Sequence, residues 1–358
     1  LGEKPLYYGW IGKTFLFGSE LKALRAHPGF RGEIDRAALA LMLRYSYIPA
    51  PYSIYKGIHK LKPGHILRLT QNRLTEHGAC EITSYWSVEL AAQRGVTHRF
   101  EGTEAEATQE MDNLLRDAIR HQMIADVPLG AFLSGGIDSS LVVALMQAQS
   151  TSPVKTFAIG FEETGYNEAV TAKMVAAHLG TEHTELYVTS AQALTVIPTL
   201  PTLYDEPFAD PSQIPTFLLA QLARRHVTVS LSGDGGDELF GGYNRYVWTQ
   251  RIWRSVRWMP YGMRRVCGRG LQAIPPFSFE QAIAAIQRFL PSSVRHRQTA
   301  DKLYKLGGIF MARSQEEAYR TLVSHWHDLV APVLEDNTSA PIDLAETTSL
   351  PNFIEYMM

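Results

Sequence analysis

The sequence predicts an α/β protein: a mixed segment with an antiparallel sheet, then a doubly wound parallel sheet, then a helical region. Three observations carry that prediction. Up to about residue 85, short alternating runs such as KTFLFGS and HILRLT are rich in aromatics and glycines, as half-buried antiparallel strands are. Further on, apolar runs without alternation (LGAFL, VKTFAIGF, HTELYVT, VTVSL) take turns with helical stretches, the pattern of βαβ units. Two glycine-rich loops, FLSGGIDSS at Phe132 to Ser140 and VSLSGDGGDELFGG at Val229 to Gly242, each follow such a run.

In chain order, DRAALALMLRY is helical in period with Asp35 placed to cap it, and Pro63-Gly64 marks a turn between strands. Residues 86 to 102 turn polar and read as a linker. Thr103 and Glu106 then form a capping box, followed by Ala107, Met111, Leu114, Leu115, Ala118 and Ile119 at helical spacing. After each loop or strand comes a helix: SSLVVALMQAQ, NEAVTAKMVAAHLG ending at Gly180, and IPTFLLAQLARRH. From residue 243 the chain is helical and aromatic. Trp248, Trp253 and Trp258 are expected to pack between helices, and Ser278 with Gln281 forms another capping box ahead of AIAAIQRFL.

Composition excludes several classes. With 358 residues, two domains are expected. A formal charge of −2, from 34 basic and 36 acidic residues, offers no bulk attraction to nucleic acid or to a membrane surface. No run of 18 apolar residues could span a bilayer. Two cysteines, Cys80 and Cys267, make no disulfide framework and fit a reducing, cytoplasmic setting. His178, His183, His325 and His327 lack zinc spacing and are expected to be structural. The chain opens on Leu1 and stops at FIEYMM, and it reads as a fragment.

The two loops carry the chemistry. In Ser134-Gly135-Gly136-Ile137-Asp138-Ser139-Ser140, two glycines let main-chain N–H groups approach an anion, and a helix N-terminus faces the same place. No Walker loop is present. Gly12-Lys13-Thr14 is preceded at the required position by Tyr7, so it is read as a turn. Gly233 and Gly235 are followed by Glu238 where a dinucleotide fingerprint needs its third glycine. Carboxylates in both loops, Asp138 in the first and Asp234, Asp237 and Glu238 in the second, would repel pyrophosphate by several kcal/mol. A divalent cation reverses that sign, and Mg²⁺ takes one or two carboxylates together with phosphate oxygens. Acids for a metal without a phosphate-binding lysine suit departure of pyrophosphate from ATP better than γ-phosphoryl transfer.

The pair LSGGIDSS and LSGDGGDELFGGY, with LGEKPLYY and FGSELKAL, resembles the glutamine-dependent asparagine synthetases over essentially the whole chain. That resemblance implies the carboxyl-terminal part of an Ntn-type α+β glutaminase domain over residues 1–85. It implies a linker over 86–102 and an ATP-pyrophosphatase-type synthetase domain over 103–358. It implies adenylation of the aspartate β-carboxylate by ATP with release of pyrophosphate, and displacement of AMP by ammonia from glutamine. By position, Leu133 and Ile159 would hold adenine through their backbones, and Ser232 and Gly233 the ribose and adenine. Ser134, Gly135, Gly136, Asp138 and Ser139 would hold pyrophosphate, with Asp138 and Asp237 as Mg²⁺ ligands. Asp234 stands where the family carries an acid, often Glu, tied to the acyl-adenylate; Asp is the shorter of the two. In YDEPFADPSQIPT, Asp205, Glu206, Asp210 and Ser212 would border the amino-acid substrate, although the same acids and prolines suit a rigid turn.

The family's nucleophilic amino-terminal cysteine and a later lysine-bearing phosphate segment are outside this sequence, and Cys80 is internal. The fragment by itself is therefore not assured of activity. Other readings stay open: an amidotransferase for another carboxylate, a cyclising synthetase, or a nucleotide-binding homologue without catalysis. Oligomeric state is left open too, a homodimer included.

Overall fold

The computed structural model describes residues 2–70, 80–161, 167–273, 299–326 and 333. The expected capping box at Ser278 and Gln281, the AIAAIQRFL helix and His327 lie outside these residues. The chain divides into two compact units. One comprises residues 1–93, 206–208 and 243–358, and the other comprises residues 94–205 and 209–242.

The first unit begins with β1 (Tyr7–Ile11) and β2 (Thr14–Gly18), paired antiparallel from Tyr7↔Gly18 to Ile11↔Thr14. That register leaves Gly12-Lys13 as a two-residue hairpin turn, and Gly12 takes the positive φ of 59° that such turns demand. The GKT triplet is thus a turn, as expected. Helices α1 (Leu21–Arg25) and α2 (Arg36–Tyr45) follow, the latter capped by the Asp35 side chain, which accepts from the N–H groups of Ala37 and Ala38. Strand β3 (Ile58–Lys60) joins the far side of β1, giving the order β2-β1-β3. Strands β4 (His65–Arg68) and β5 (Glu81–Ser84) form a separate antiparallel pair. The core here is Tyr7, Leu21, Leu24, Ala38, Ile48, Ile54 and Ile58.

Part of the expected linker is a helix, α3 (Val88–Thr97). None of its residues is buried.

The second unit opens on α4 (Glu104–Gln122), whose capping box between Thr103 and Glu106 forms in full. Of its helical apolar series, Ile119 is buried and Leu115 packs on the core, whereas Met111 and Leu114 face solvent. The remaining order is β6 (Leu129–Phe132), α5 (Ile137–Gln149), β7 (Lys155–Phe161), α6 (Ala169–Leu179) and β8 (Glu182–Val188). Helix α7 (Ser190–Val196), a 3₁₀ turn (Ile197–Thr199), α8 (Leu200–Leu203), α9 (Gln213–Ala223), β9 (Val229–Leu231) and α10 (Gly236–Phe240) complete it.

The four strands are all parallel, in the order β8-β7-β6-β9. Alternating side chains divide the core into two layers, because successive strand residues face opposite sides. Ala131, Leu133 and Ala158 join Ile119, Val143, Met146, Ala172 and Ala176 of α4, α5 and α6. Phe157, with Phe132 and Leu186 against it, joins Leu222 and Ala223 of α9 in the other layer. Helices thus cover both faces, and the expected doubly wound sheet is the observed one.

The chain returns to the first unit with α11 (Asn244–Val256), α12 (Tyr261–Ala273), α13 (Thr299–Met311) and α14 (Gln315–Val323). Here the three tryptophans behave differently from one another. Trp253 packs against Ile309, Ala312 and Ala318, with the Arg264 guanidinium 5.0 Å from its ring. Trp248 and Trp258 are exposed, so helix packing accounts for one of the three. Among the described residues no helix is long and apolar enough to cross a membrane.

Candidate functional site

Strand order decides where the site lies. The chain runs outward from β6 to β7 to β8, then returns to lay β9 on the opposite side of β6. The loops leaving β6 and β9 therefore diverge from neighbouring strands, and the crevice between them is where doubly wound sheets take ligands. Register pairs Ala131 with Leu231, so SGGIDSS and SGDGGDE start side by side. Both opening loops belong to the same unit and the same sheet.

In the first loop, hydroxyls knit the backbone. Ser139 Oγ accepts from the Ser134 N–H at 3.2 Å, lies 2.9 Å from Ser134 Oγ and donates to the Gly136 carbonyl at 3.3 Å. Ser134 Oγ in turn accepts from the Gly136 N–H at 3.2 Å. Ser139 is buried while Ser134 and Gly136 are exposed, so the inner hydroxyl holds the curve and the outer edge faces solvent. Gly135 has φ 80°, and a Cβ there would lie 2.7 Å from the Ala172 nitrogen. Only glycine allows both that conformation and that approach. Gly136 is the N-cap of α5 and no side chain caps it, so the positive end of a 13-residue helix is left open to a ligand.

The second loop is pressed against the first. A Cβ on Gly233 would meet the Ser139 nitrogen at 2.7 Å, and one on Gly236 would meet Asp138 Cγ at 2.6 Å and Oδ1 at 2.8 Å. Asp138 therefore reaches across to the β9 loop. Asp234 is exposed and accepts from Ser232 Oγ at 2.9 Å. Asp237 is half-buried, and its Oδ1 lies against Gly242, where a Cβ would come within 2.0 Å. Among the described residues no group of three or more His, Cys, Asp and Glu forms a ready metal cage. Two carboxylates in adjoining loops, with all-oxygen donors, suit a hard cation that keeps waters and takes its other ligands from phosphate.

Leu133 and Ile159 lie near the carboxyl ends of the central strands. The Leu133 N–H donates to the Phe157 carbonyl at 2.9 Å, and Ile159 pairs with Leu186. Leu133's side chain is fully buried, so any contact it makes with a ligand has to come from its main chain.

The YDEPFADPS segment is held by several local bonds. Asp210 Oδ1 accepts from the Ser212 N–H at 2.8 Å at the start of α9, and the Tyr204 N–H donates to the Leu200 carbonyl at 2.9 Å. Glu206 differs from its neighbours. Its carboxylate is taken up by Lys60, Tyr7 and the Ile54 N–H, a set that no local sequence pattern announces.

Away from this site, His183 sits under α6. Its Nδ1 lies 2.9 Å from Thr156 Oγ1, while Nε2 and Glu185 Oε1 face each other at 3.7 Å, both buried without a hydrogen-bond partner. Burial, helped by Lys173, outweighs Glu185 and holds the imidazole below its ordinary pKa. A neutral ring at that distance makes neither an ion pair nor a hydrogen bond, which agrees with the unpartnered atoms.

Comparison with known proteins fits this architecture. The Asparagine synthase family model matches residues 110–355, and the Glutamine amidotransferase domain model matches residues 1–86. A putative glutamine-hydrolysing asparagine synthetase 2 of Methanocaldococcus jannaschii is 40% identical over 74% of this chain and 50% of that protein. The glutamine-hydrolysing asparagine synthetase 1 of Bacillus subtilis is 35% identical over 68% of this chain and 37% of that protein. A putative glutamine-hydrolysing asparagine synthetase of Mycobacterium tuberculosis is 34% identical over 76% of this chain and 41% of that protein. The chain spans about half the length, or less, of the curated relatives it matches. With its parallel-sheet unit inside the first match and its opening strands inside the second, the chain belongs to the asparagine synthase family and carries part of a glutamine amidotransferase domain ahead of the synthase region.

Proposed function

We propose that the intact protein makes an amide from aspartate, ATP and glutamine-derived ammonia. An oxygen of the aspartate β-carboxylate attacks the α-phosphorus of ATP, the bond to the β-phosphate oxygen breaks, and pyrophosphate leaves. Ammonia then attacks the acyl carbon of β-aspartyl-AMP. A proton is lost from nitrogen, and AMP departs with the C–O bonding pair, leaving asparagine. On this reading residues 1–85 close a glutaminase domain, 86–102 connect, and 103–358 form most of the synthetase domain.

The observation that carries the reading is the seating of Gly233 and Gly236 directly on Ser139 and Asp138. It gives one crevice an open helix N-terminus, hydroxyls and two carboxylates. Ser134, Gly135, Gly136 and Ser139 receive the pyrophosphate: the outer hydroxyl and N–H groups donate, and Ser139 keeps the loop's shape. Leu133 and Ile159 present main-chain groups to adenine, with Ser232 and Gly233 at the ribose side. Asp234, exposed at the head of the second loop, is assigned to formation and use of the acyl-adenylate. Its bond from Ser232 holds it close to the nucleotide side of that loop.

Asp138 and Asp237 would hold Mg²⁺, which supplies charge neutralisation for the departing pyrophosphate. Asp205, Asp210 and Ser212 are assigned to the acceptor's surroundings. The experiment is aspartate-dependent exchange of labelled pyrophosphate into ATP, run on the full-length protein. Exchange with aspartate is the expected result. Exchange with a different carboxylate in its place would move the assignment to a related amidotransferase or cyclising synthetase, and nucleotide binding with no exchange would end the catalytic reading.

A further inference from the structure

Five of the ten residues from Gly233 to Gly242 are glycine, and the backbone demands only some of them. Gly235 and Gly241 have φ of 91° and 66°, where a side chain is strained. Gly233 is required by its seat on the Ser139 nitrogen, a main-chain neighbour. Gly236 and Gly242 do not take a positive φ, so their conformation would accept another residue. What excludes a Cβ at each is one aspartate. At Gly236 the three nearest atoms all belong to the Asp138 side chain, with Cγ at 2.6 Å, Oδ1 at 2.8 Å and Cβ at 3.0 Å. At Gly242 all three belong to Asp237, with Oδ1 at 2.0 Å, Cγ at 3.1 Å and Cα at 3.3 Å.

These are the two aspartates assigned to Mg²⁺, and all four residues lie in the second unit. Both aspartates are half-buried, and among the described residues neither carboxylate accepts a hydrogen bond or joins an ion pair. Their oxygens are therefore open to a cation, with no donor to be given up on binding. Mg²⁺ demands near-ideal octahedral geometry, and a site of that kind holds its ligands to within about 0.5 Å. A methyl group at Gly242 would displace Asp237 Oδ1 by roughly 1.4 Å (3.4 less 2.0), and one at Gly236 would displace Asp138 Cγ by roughly 0.8 Å (3.4 less 2.6). Both shifts exceed that tolerance.

We propose that Gly236 and Gly242 are positioning residues for the divalent cation: each leaves the space in which one of the two carboxylates, Asp138 or Asp237, is seated, and each acts on the metal only through that aspartate. The proposal rests on the assignment of these aspartates to Mg²⁺.

The test titrates Mn²⁺, as a stand-in for Mg²⁺, into the full-length protein with ATP and no aspartate, and reads protein-bound Mn²⁺ by electron paramagnetic resonance. Gly236→Ala and Gly242→Ala should each weaken Mn²⁺ by about 10- to 100-fold, the usual loss when a metal ligand's support is removed. Binding of AMP, measured without metal, should be unchanged. In an Asp138→Ala background Gly236→Ala should weaken Mn²⁺ no further, and the same holds for Gly242→Ala in an Asp237→Ala background, because the displaced carboxylate is gone. Full additive losses in those backgrounds would overturn the proposal, as would folded glycine variants with unaltered Mn²⁺ affinity. Should a glycine variant fail to fold, the matching double variant decides: recovery of the wild-type urea midpoint supports the carboxylate as the obstacle, and continued failure overturns it. Asp138→Asn and Asp237→Asn locate the fault. If they weaken Mn²⁺ while the glycine variants do not, the positioning role alone falls. If neither weakens it, the metal assignment falls and the positioning role with it.

Discussion

Adding one methyl group at Gly233 should separate the two loops and disable the site. A Cβ there would lie 2.7 Å from the Ser139 nitrogen and 3.0 Å from the Asp138 carbonyl carbon. Both are main-chain atoms of the first turn of α5, so no side-chain rotation relieves the contact. Ordinary contact begins at 3.4 Å. The loops must therefore part by roughly 0.7 Å (3.4 less 2.7) at a site where a misplacement of about 1 Å costs on the order of 100-fold. Gly233→Ala should lower aspartate-dependent pyrophosphate exchange by about 10- to 100-fold. Stability should fall by about 1–3 kcal/mol, the usual cost of overpacking. Gly95→Ala is the control: it lies inside α3 with nothing within 4 Å of its Cβ. Helix propensity makes that change stabilising by about 0.5–1 kcal/mol, with no effect on exchange. The assay is exchange in the full-length protein, paired with urea titration of each variant. Unaltered exchange and an unaltered urea midpoint in Gly233→Ala would refute the seating of one loop on the other as the basis of the site.

Three further outcomes follow from other parts of the molecule. Asp138→Asn should reduce exchange by about 100-fold or more and raise the Mg²⁺ concentration needed for what remains, read from a metal titration; full activity at ordinary Mg²⁺ would remove Asp138 from the metal site. His183 titrates below its usual value because it is buried, so the unfolded chain takes up its proton first as pH falls. The stability this neutral ring contributes is present above about pH 6.5 and is lost as pH drops from there through the folded-state value; urea midpoints should therefore show a steeper acid slope below about pH 6.5 for the wild type than for His183→Gln. Asp35→Ala removes the cap that accepts from Ala37 and Ala38 and should cost about 1 kcal/mol by urea titration without changing exchange.

Some elements could be read from neighbouring residues because their causes are local. Asp35 and the Thr103–Glu106 box start helices by bonding main-chain groups two or three residues away. Gly180 ends α6 in the left-handed conformation for the same kind of reason. Another signal of that type went unread: Thr189 and Gln192 form a full capping box at the start of α7. Helix α3 carries Val88, Ala91, Ala92 and Val96 at helical spacing but buries none of them, so its pattern did not stand out from the polar stretch around it. The tryptophans and the outer residues of α4 were read as packing residues because spacing cannot tell which face meets a neighbour.

By itself the sequence determined the chemistry on offer: two glycine, hydroxyl and carboxylate loops, each behind a buried strand, together with their family. Charge balance and apolar run length could also be read without coordinates. Only the tertiary structure decided which loop touches which. The return of β9 beside β6 brings Asp138 against Gly236 across about a hundred residues of chain, and the same long-range folding gives Glu206 to Lys60 and Tyr7. Hydrogen bonding within a turn is fixed by adjacent residues, but pairing between distant segments depends on burying both strand faces and every charge at once, and that condition exists only in the folded chain.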